Sequence, residues 1–167
     1  MKLSRAVFTM AAAGAAVMPT APVAAAPGEV GLVGTWRLIR YENIDSRGTV
    51  SRPFGEQPKG HFIYGATGYL SIQIMRTPPT SPFASGDDRK GSDAEVRSAY
   101  DGYSAYFGTY RVDAAKHLLT HVIEGSLRPS FTGTEQLRPY RLLGDTLVIE
   151  VKGRDGSRYY RELHRVR

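Results

Sequence analysis

The sequence predicts an all-β fold, an antiparallel up-and-down barrel of about eight strands with one inserted α-helix. Three observations carry that reading. Strand-like segments recur along the chain with short turn motifs between them. One long interruption, at 77–107, breaks the series and shows helical spacing in its second half. The chain has no cysteine, so its core has to close by packing alone.

The chain opens M-K-L-S-R, continues A-V-F-T-M-A-A-A-G-A-A-V-M to just before Pro19, and then reads V-A-A-A-P. A charged start, an apolar stretch of about a dozen residues and a small-residue segment follow the order of a secretory signal peptide, and the stretch is too short to span a bilayer. Pro27 behind a cut after Ala26 would be tolerated poorly, so Val23 and Ala25 serve as the small-residue pair. Residues 1–25 are read as the signal peptide and 26–167 as the barrel domain. No twin arginine and no cysteine for a lipid anchor are present, so a periplasmic or secreted product without stable membrane insertion is expected. Removal of 1–25 takes away Lys2 and Arg5: 22 basic residues become 20 against 16 acidic ones, and the formal charge falls from +6 to +4. That mild excess is not a nucleic-acid-binding signature.

The expected strands lie near 33–42, 60–64, 69–76, 108–113, 118–127, 133–142, 146–152 and 157–166. G-A-T-G, L-G-D and R-D-G stand where short hairpin loops belong. Within the interruption, T-P-P-T-S-P-F-A-S-G-D-D-R-K-G is loop by composition. Ser92 and Glu95 then have the spacing of a capping box. Val96, Tyr100, Tyr103 and Phe107 follow at spacings of four, three and four, with Tyr106 beside them, which predicts a helical face ending at Gly108. Such a helix lies either across an open barrel end as a lid or against the barrel wall.

G-T-W at 34–36, with Arg165 in the last strand, resembles the lipocalin signature. L-V-G-T-W-R-L, G-Y-L-S-I-Q-I-M-R, P-F-A-S-G-D, Y-D-G-Y-S-A-Y-F-G-T-Y-R-V-D, H-V-I-E-G-S-L and G-T-E-Q-L-R-P-Y-R-L together resemble the ordered motifs of the bacterial and fungal lipocalin-like domain family, over about residues 32–166. The resemblance implies a barrel whose tryptophan plugs the closed end under the late arginine, with an internal cavity for a small, largely apolar molecule. It also implies that some relatives work as cyclases or isomerases. G-A-T-G, in place of a Pro-Asp-Gly turn, and R-P-S-F at 128–131 depart from the pattern.

Strand parity orders the inner wall. In 134–142, Thr134, Gln136, Arg138, Tyr140 and Leu142 form the inner set, which places Gln136 and Arg138 inside. An inward arginine needs an anion from the protein or from a ligand; strand bending would instead turn Arg138 out to solvent or to Glu124. In 118–127, the set Leu119, His121, Ile123 and Leu127 carries His121 inward. His121 and Glu124 then face opposite sides unless a bulge near Gly125 brings them together, so H-x-x-E is not read as a metal site. His121 is either a wall residue with satisfied hydrogen bonds or the one proton carrier of the cavity. Phe62 and Tyr64 point inward, facing either Leu70, Ile72 and Ile74 or Ser71, Gln73 and Met75, according to whether the G-A-T-G turn bulges.

The candidate ligand-binding set is Arg138, Gln136, His121, Tyr140, Tyr64, Gln73, Tyr103, Tyr106 and Tyr110, with His121 the candidate catalytic group and no metal or cofactor implied. Asp87-Asp88 beside Arg89-Lys90, and the C-terminal R-Y-Y-R-E-L-H-R-V-R, read as solvated. No G-x-S-x-G elbow, phosphate loop or dinucleotide fingerprint occurs. The functional reading is an exported barrel that binds a small hydrophobic or amphiphilic molecule, acidic ones included, and no nucleic acid. The alternatives are a cofactor-independent cyclase or isomerase, in which His121 and a tyrosine move protons, and a structural or stress-related envelope protein with a filled barrel.

Overall fold

Alternating apolar residues and turn glycines divide the chain into nine strands and one α-helix in the computed structural model, which describes residues 31–167. They are β1 (Gly34–Ile44), β2 (Val50–Ser51), β3 (Lys59–Tyr64), β4 (Tyr69–Met75), α1 (Asp93–Asp101), β5 (Tyr103–Asp113), β6 (Leu118–Ser126), β7 (Glu135–Leu143), β8 (Thr146–Lys152) and β9 (Arg158–Arg165). The expected signal peptide, residues 1–25, lies outside the described residues.

Each strand pairs antiparallel with its neighbour, and β1 pairs with both β3 and β9, so eight strands close into a barrel without an open edge. β2, which the sequence pattern does not announce, adds two residues to the end of β1. The inner wall is apolar where parity requires it: Trp36, Leu38, Leu119, Leu147, Ile149 and Leu163 are all buried.

The G-A-T-G turn settles the register left open by the sequence. Gly65 N–H donates to Tyr69 O at 2.8 Å, Gly68 takes the left-handed φ of 85°, and the ladder runs unbroken from Tyr64↔Leu70 to Lys59↔Met75. Leu70, Ile72 and Ile74 therefore face the core. Gln73 faces outward, which removes it from the inner wall.

The helix is shorter than its spacing predicts. The capping box forms as expected: Glu95 N–H donates to Ser92 Oγ at 3.4 Å and Ser92 N–H to Glu95 Oε2 at 2.8 Å. The helix nevertheless ends at Gly102, and Tyr103 opens β5. A complete ladder against β4, from Met75↔Tyr103 to Tyr69↔Thr109, outweighs two further helical turns. Tyr103, Tyr106 and Phe107 are thus strand residues, with Tyr106 buried inside and Phe107 56% exposed outside. No residue of α1 is buried, so it is not a core-facing helix.

Two bulges reset parity. On β1 the pairing with β9 shifts between Leu38 and Arg40, so the inward series passes from Trp36 and Leu38 to Tyr41 and Asn43. At β5–β6, Phe107 pairs Gly125 while Gly108 pairs Ile123, leaving Glu124 as the extra residue. Glu124 is exposed even so, and Leu127 turns out with it instead of continuing the inward set.

Candidate functional site

The barrel is not filled by its own side chains. A cavity of about 410 Å³ opens toward the end where β1 and β4 finish and β5 and β9 begin, marked by Asn43, Ile74, Ser104 and Tyr159 in its lining. Phe62, Phe131, Ile149 and Val151 make its apolar wall, and Tyr41, Tyr106, Gln136, Arg138 and Arg161 its polar one. No Asp or Glu lines it.

Two guanidiniums face this space. On β7, Arg138 follows Gln136 on the inward series; its Nη2 donates to Gln136 Oε1 at 3.3 Å and its Nη1 to Leu137 O at 3.1 Å. Gln136 is oriented in turn by donating to Thr134 Oγ1 at 2.9 Å. On β9, Arg161 lies 3.2 Å over the Tyr41 ring and donates to Glu42 O at 2.6 Å, Tyr160 O at 2.8 Å and Asn43 Oδ1 at 3.0 Å. Burial lowers the pKa of Arg161 from its usual value, and the charge of Arg138 acts in the same direction. Among the described residues, the hydrogen-bond partners of both guanidiniums are neutral. The carboxylates closest to them in sequence are engaged elsewhere, Glu135 with Arg111 at 2.8 Å and Glu162 with Arg40 at 3.9 Å, and the carboxylate of Glu42, whose backbone carbonyl accepts from Arg161, pairs with Arg52 at 2.8 Å. The cavity is therefore a net cationic, largely apolar space.

Below it runs a buried polar chain. The Tyr64 hydroxyl lies 3.1 Å from His121 Nε2, and the Tyr106 hydroxyl 3.1 Å from His121 Nδ1. Tyr64 and His121 are fully buried, and only Tyr106 reaches the cavity lining. Burial drives the His121 pKa down to about 3, helped by the charge of Arg138, so the ring is neutral at physiological pH. Burial also pushes Tyr106 up to about 12 and Tyr64 well above the usual phenol range. A proton passed from Tyr106 to His121 would run against both shifts, leaving a phenol that burial makes harder to ionise for an imidazole that burial makes harder to protonate. The chain can hold and orient protons far better than it can transfer them.

Of the residues singled out from the sequence, Arg138, Gln136 and Tyr106 line the cavity together. His121, Tyr64, Tyr110 and Tyr140 face inward but are packed outside its lining; Tyr110 donates to Gly65 O at 2.9 Å and packs edge-on against Tyr64. Gln73 and Tyr103 lie on the outer face, where the Tyr103 hydroxyl donates to Gln73 Oε1 at 3.3 Å. Arg161, Tyr159, Tyr41 and Asn43 escaped the sequence reading. Period-2 alternation back from Leu163 gives Arg161 and Tyr159, but the C-terminal segment was read as a solvated face, which now holds only for its outward residues such as Arg158 and His164. Tyr41 and Asn43 depend on the β1 bulge.

Residues 33–159 match the family model of a lipocalin-like domain. No curated protein matches the chain. Among solved structures, a redesigned beta barrel is 16% identical, with 81% of this chain and 92% of that one covered and a TM-score of 0.40. A mutant of the fluorescent protein UnaG is 15% identical, with 81% and 96% covered and a TM-score of 0.36.

Proposed function

The chain belongs to the family of lipocalin-like domains, and from that premise we propose that it is an exported barrel that binds a small amphiphile carrying an anionic head group. The observation that carries the reading is the pair of guanidiniums, Arg138 and Arg161, facing an otherwise largely apolar cavity that contains no carboxylate. Cations held away from water without a counter-charge are costly, and an anionic ligand supplies the missing charge. Apolar burial contributes about 25 cal/mol per Å² of ligand surface, and the arginines fix which end of the ligand enters last. The proton-moving alternative is disfavoured by the neutrality of His121 and by its cover under Tyr106.

Titration calorimetry of decanoate against methyl decanoate tests the reading. The acid should bind about 10- to 100-fold more tightly, since a charge-assisted hydrogen bond contributes about 1.5–3 kcal/mol. Arg138→Leu and Arg161→Leu should each erode that preference and spare the ester. Equal affinity for acid and ester in the wild-type protein would end the anionic reading.

Export belongs to the same proposal: residues 1–25 act as a leader and the mature chain begins at Ala26. Intact mass of the protein recovered from its host should correspond to residues 26–167. A mass that retained the leader would remove export from the proposal.

A further inference from the structure

We infer that Tyr64 and His121, neither of which lines the cavity, set the direction of the hydrogen bond at Tyr106, so that Tyr106 presents its hydroxyl proton to the head group of the ligand. The inference rests on the anionic-ligand reading and adds to it a third donor with a fixed orientation.

It starts from the residue with the least choice. Among the described residues, the only hydrogen-bond partner of the fully buried Tyr64 hydroxyl is His121 Nε2, at 3.1 Å. If Nε2 carried the ring proton, Tyr64 would accept it and bury its own O–H with nothing to receive it, which proteins avoid. Tyr64 therefore donates and Nε2 accepts. Burial keeps His121 neutral, so it has one N–H, and with Nε2 accepting that proton sits on Nδ1. Nδ1–H then donates to the Tyr106 oxygen, 3.1 Å away.

Tyr106 is left with a proton that the chain does not use. Its ring lines the cavity, and besides Nδ1 its hydroxyl meets the guanidinium of Arg138, a cation that can donate to the phenol oxygen but cannot accept from it. The O–H aims at the ligand, beside the two guanidiniums. A head group that only accepts, such as a carboxylate, satisfies all three donors. One that must itself donate, such as a protonated acid, leaves a donor facing a donor. Tyr64 and His121 are positioning residues in this scheme, since neither lines the cavity.

Long-range ¹H–¹⁵N correlation spectra of histidine-labelled protein read the tautomer directly, with His121 assigned by its loss in His121→Gln. The wild-type ring should carry its proton on Nδ1 with or without decanoate; a proton on Nε2 overturns the inference. By calorimetry, Tyr106→Phe should weaken decanoate about 10- to 100-fold, and a variant that bound it as the wild type does would overturn the donor role. Tyr64→Phe removes the constraint. Its ring should populate both tautomers, return to Nδ1–H under saturating decanoate, and bind decanoate a few-fold more weakly, in proportion to the competent fraction. A Tyr64→Phe protein that kept a single tautomer and full affinity would overturn the lock, and should that variant fail to fold, the wild-type spectrum decides. Wild-type protein with Nδ1–H that ignored decanoate would support the hydroxyl direction and overturn the anionic-ligand reading instead.

Discussion

At the scale of single residues, the sharpest consequence of burial falls on His121. Burial brings its pKa in the folded chain down to about 3 against an ordinary value of 6.5, so between those limits the unfolded chain takes up a proton that the folded chain refuses. The neutral ring favours the native state fully above pH 6.5, and that advantage is lost progressively as pH falls toward 3. Down to about pH 4 the loss amounts to about 3 kcal/mol, taking 1.36 kcal/mol per pH unit. Urea unfolding at pH 7 and pH 4 should show that drop in the wild-type protein relative to His121→Gln, which keeps a donor and an acceptor but does not titrate. Parallel pH dependence in the two proteins would mean that His121 is solvated or charged in the native state. The inward facing of His121 was legible because Leu119 and Ile123 flank it at period 2. That of Arg161 was hidden for the opposite reason: near the barrel mouth its inward neighbours include Tyr159, which is 42% exposed, and a polar inner face reads as a solvated outer one.

Among the elements, the stretch from Ala99 to Tyr110 shows where pattern reading fails. Tyr106, Gly108 and Tyr110 occupy consecutive inward positions of β5, but the middle one is glycine and leaves the strand signal blank. Spacings of three and four among the rings then suggest a helix. That glycine is required by packing: a Cβ on Gly108 would lie 2.0 Å from Val122 O, where β5 and β6 close in beside the bulge. The strand ladder and its eight-strand order were legible because turn glycines and apolar alternation repeat around the barrel. Of the two parity changes, the one at Glu124 falls beside Gly125, where the sequence left room for a bulge, but the one at Ile39 was hidden, since it rests on cross-strand pairing with β9, far away in sequence, and has no local composition of its own. Without it, Arg40 and Glu42 would continue the inward series of β1; with it, Tyr41 and Asn43 do, and Arg161 gains both its aromatic platform and its amide partner.

For the whole molecule, stability and binding are placed at opposite ends of one barrel. The closed end is sealed by Trp36, fully buried, whose Nε1 donates to Leu32 O at 2.8 Å. Arg165 covers it, with its guanidinium 4.1 Å from the ring; the same group donates to Val33 O at 3.0 Å and to Gly31 O, and lies 3.6 Å from Asp145. Unlike Arg138 and Arg161, this arginine has a carboxylate in reach, so it is satisfied by the protein and asks nothing of a ligand. Neither Trp36 nor Arg165 lines the cavity. Trp36→Ala should therefore lower the free energy of unfolding by about 3–5 kcal/mol, the loss expected for a large buried aromatic, through an emptied seal and the strand ends it holds together. Because the substitution removes the only tryptophan, urea unfolding is best followed by circular dichroism. In the folded fraction, at low denaturant, decanoate affinity should stay within about twofold of wild type, since sites that share no partner behave additively. A near-neutral effect on unfolding would show that another group closes that end. A large loss of affinity with the fold intact would show that the seal and the cavity are mechanically coupled along the strands that join them.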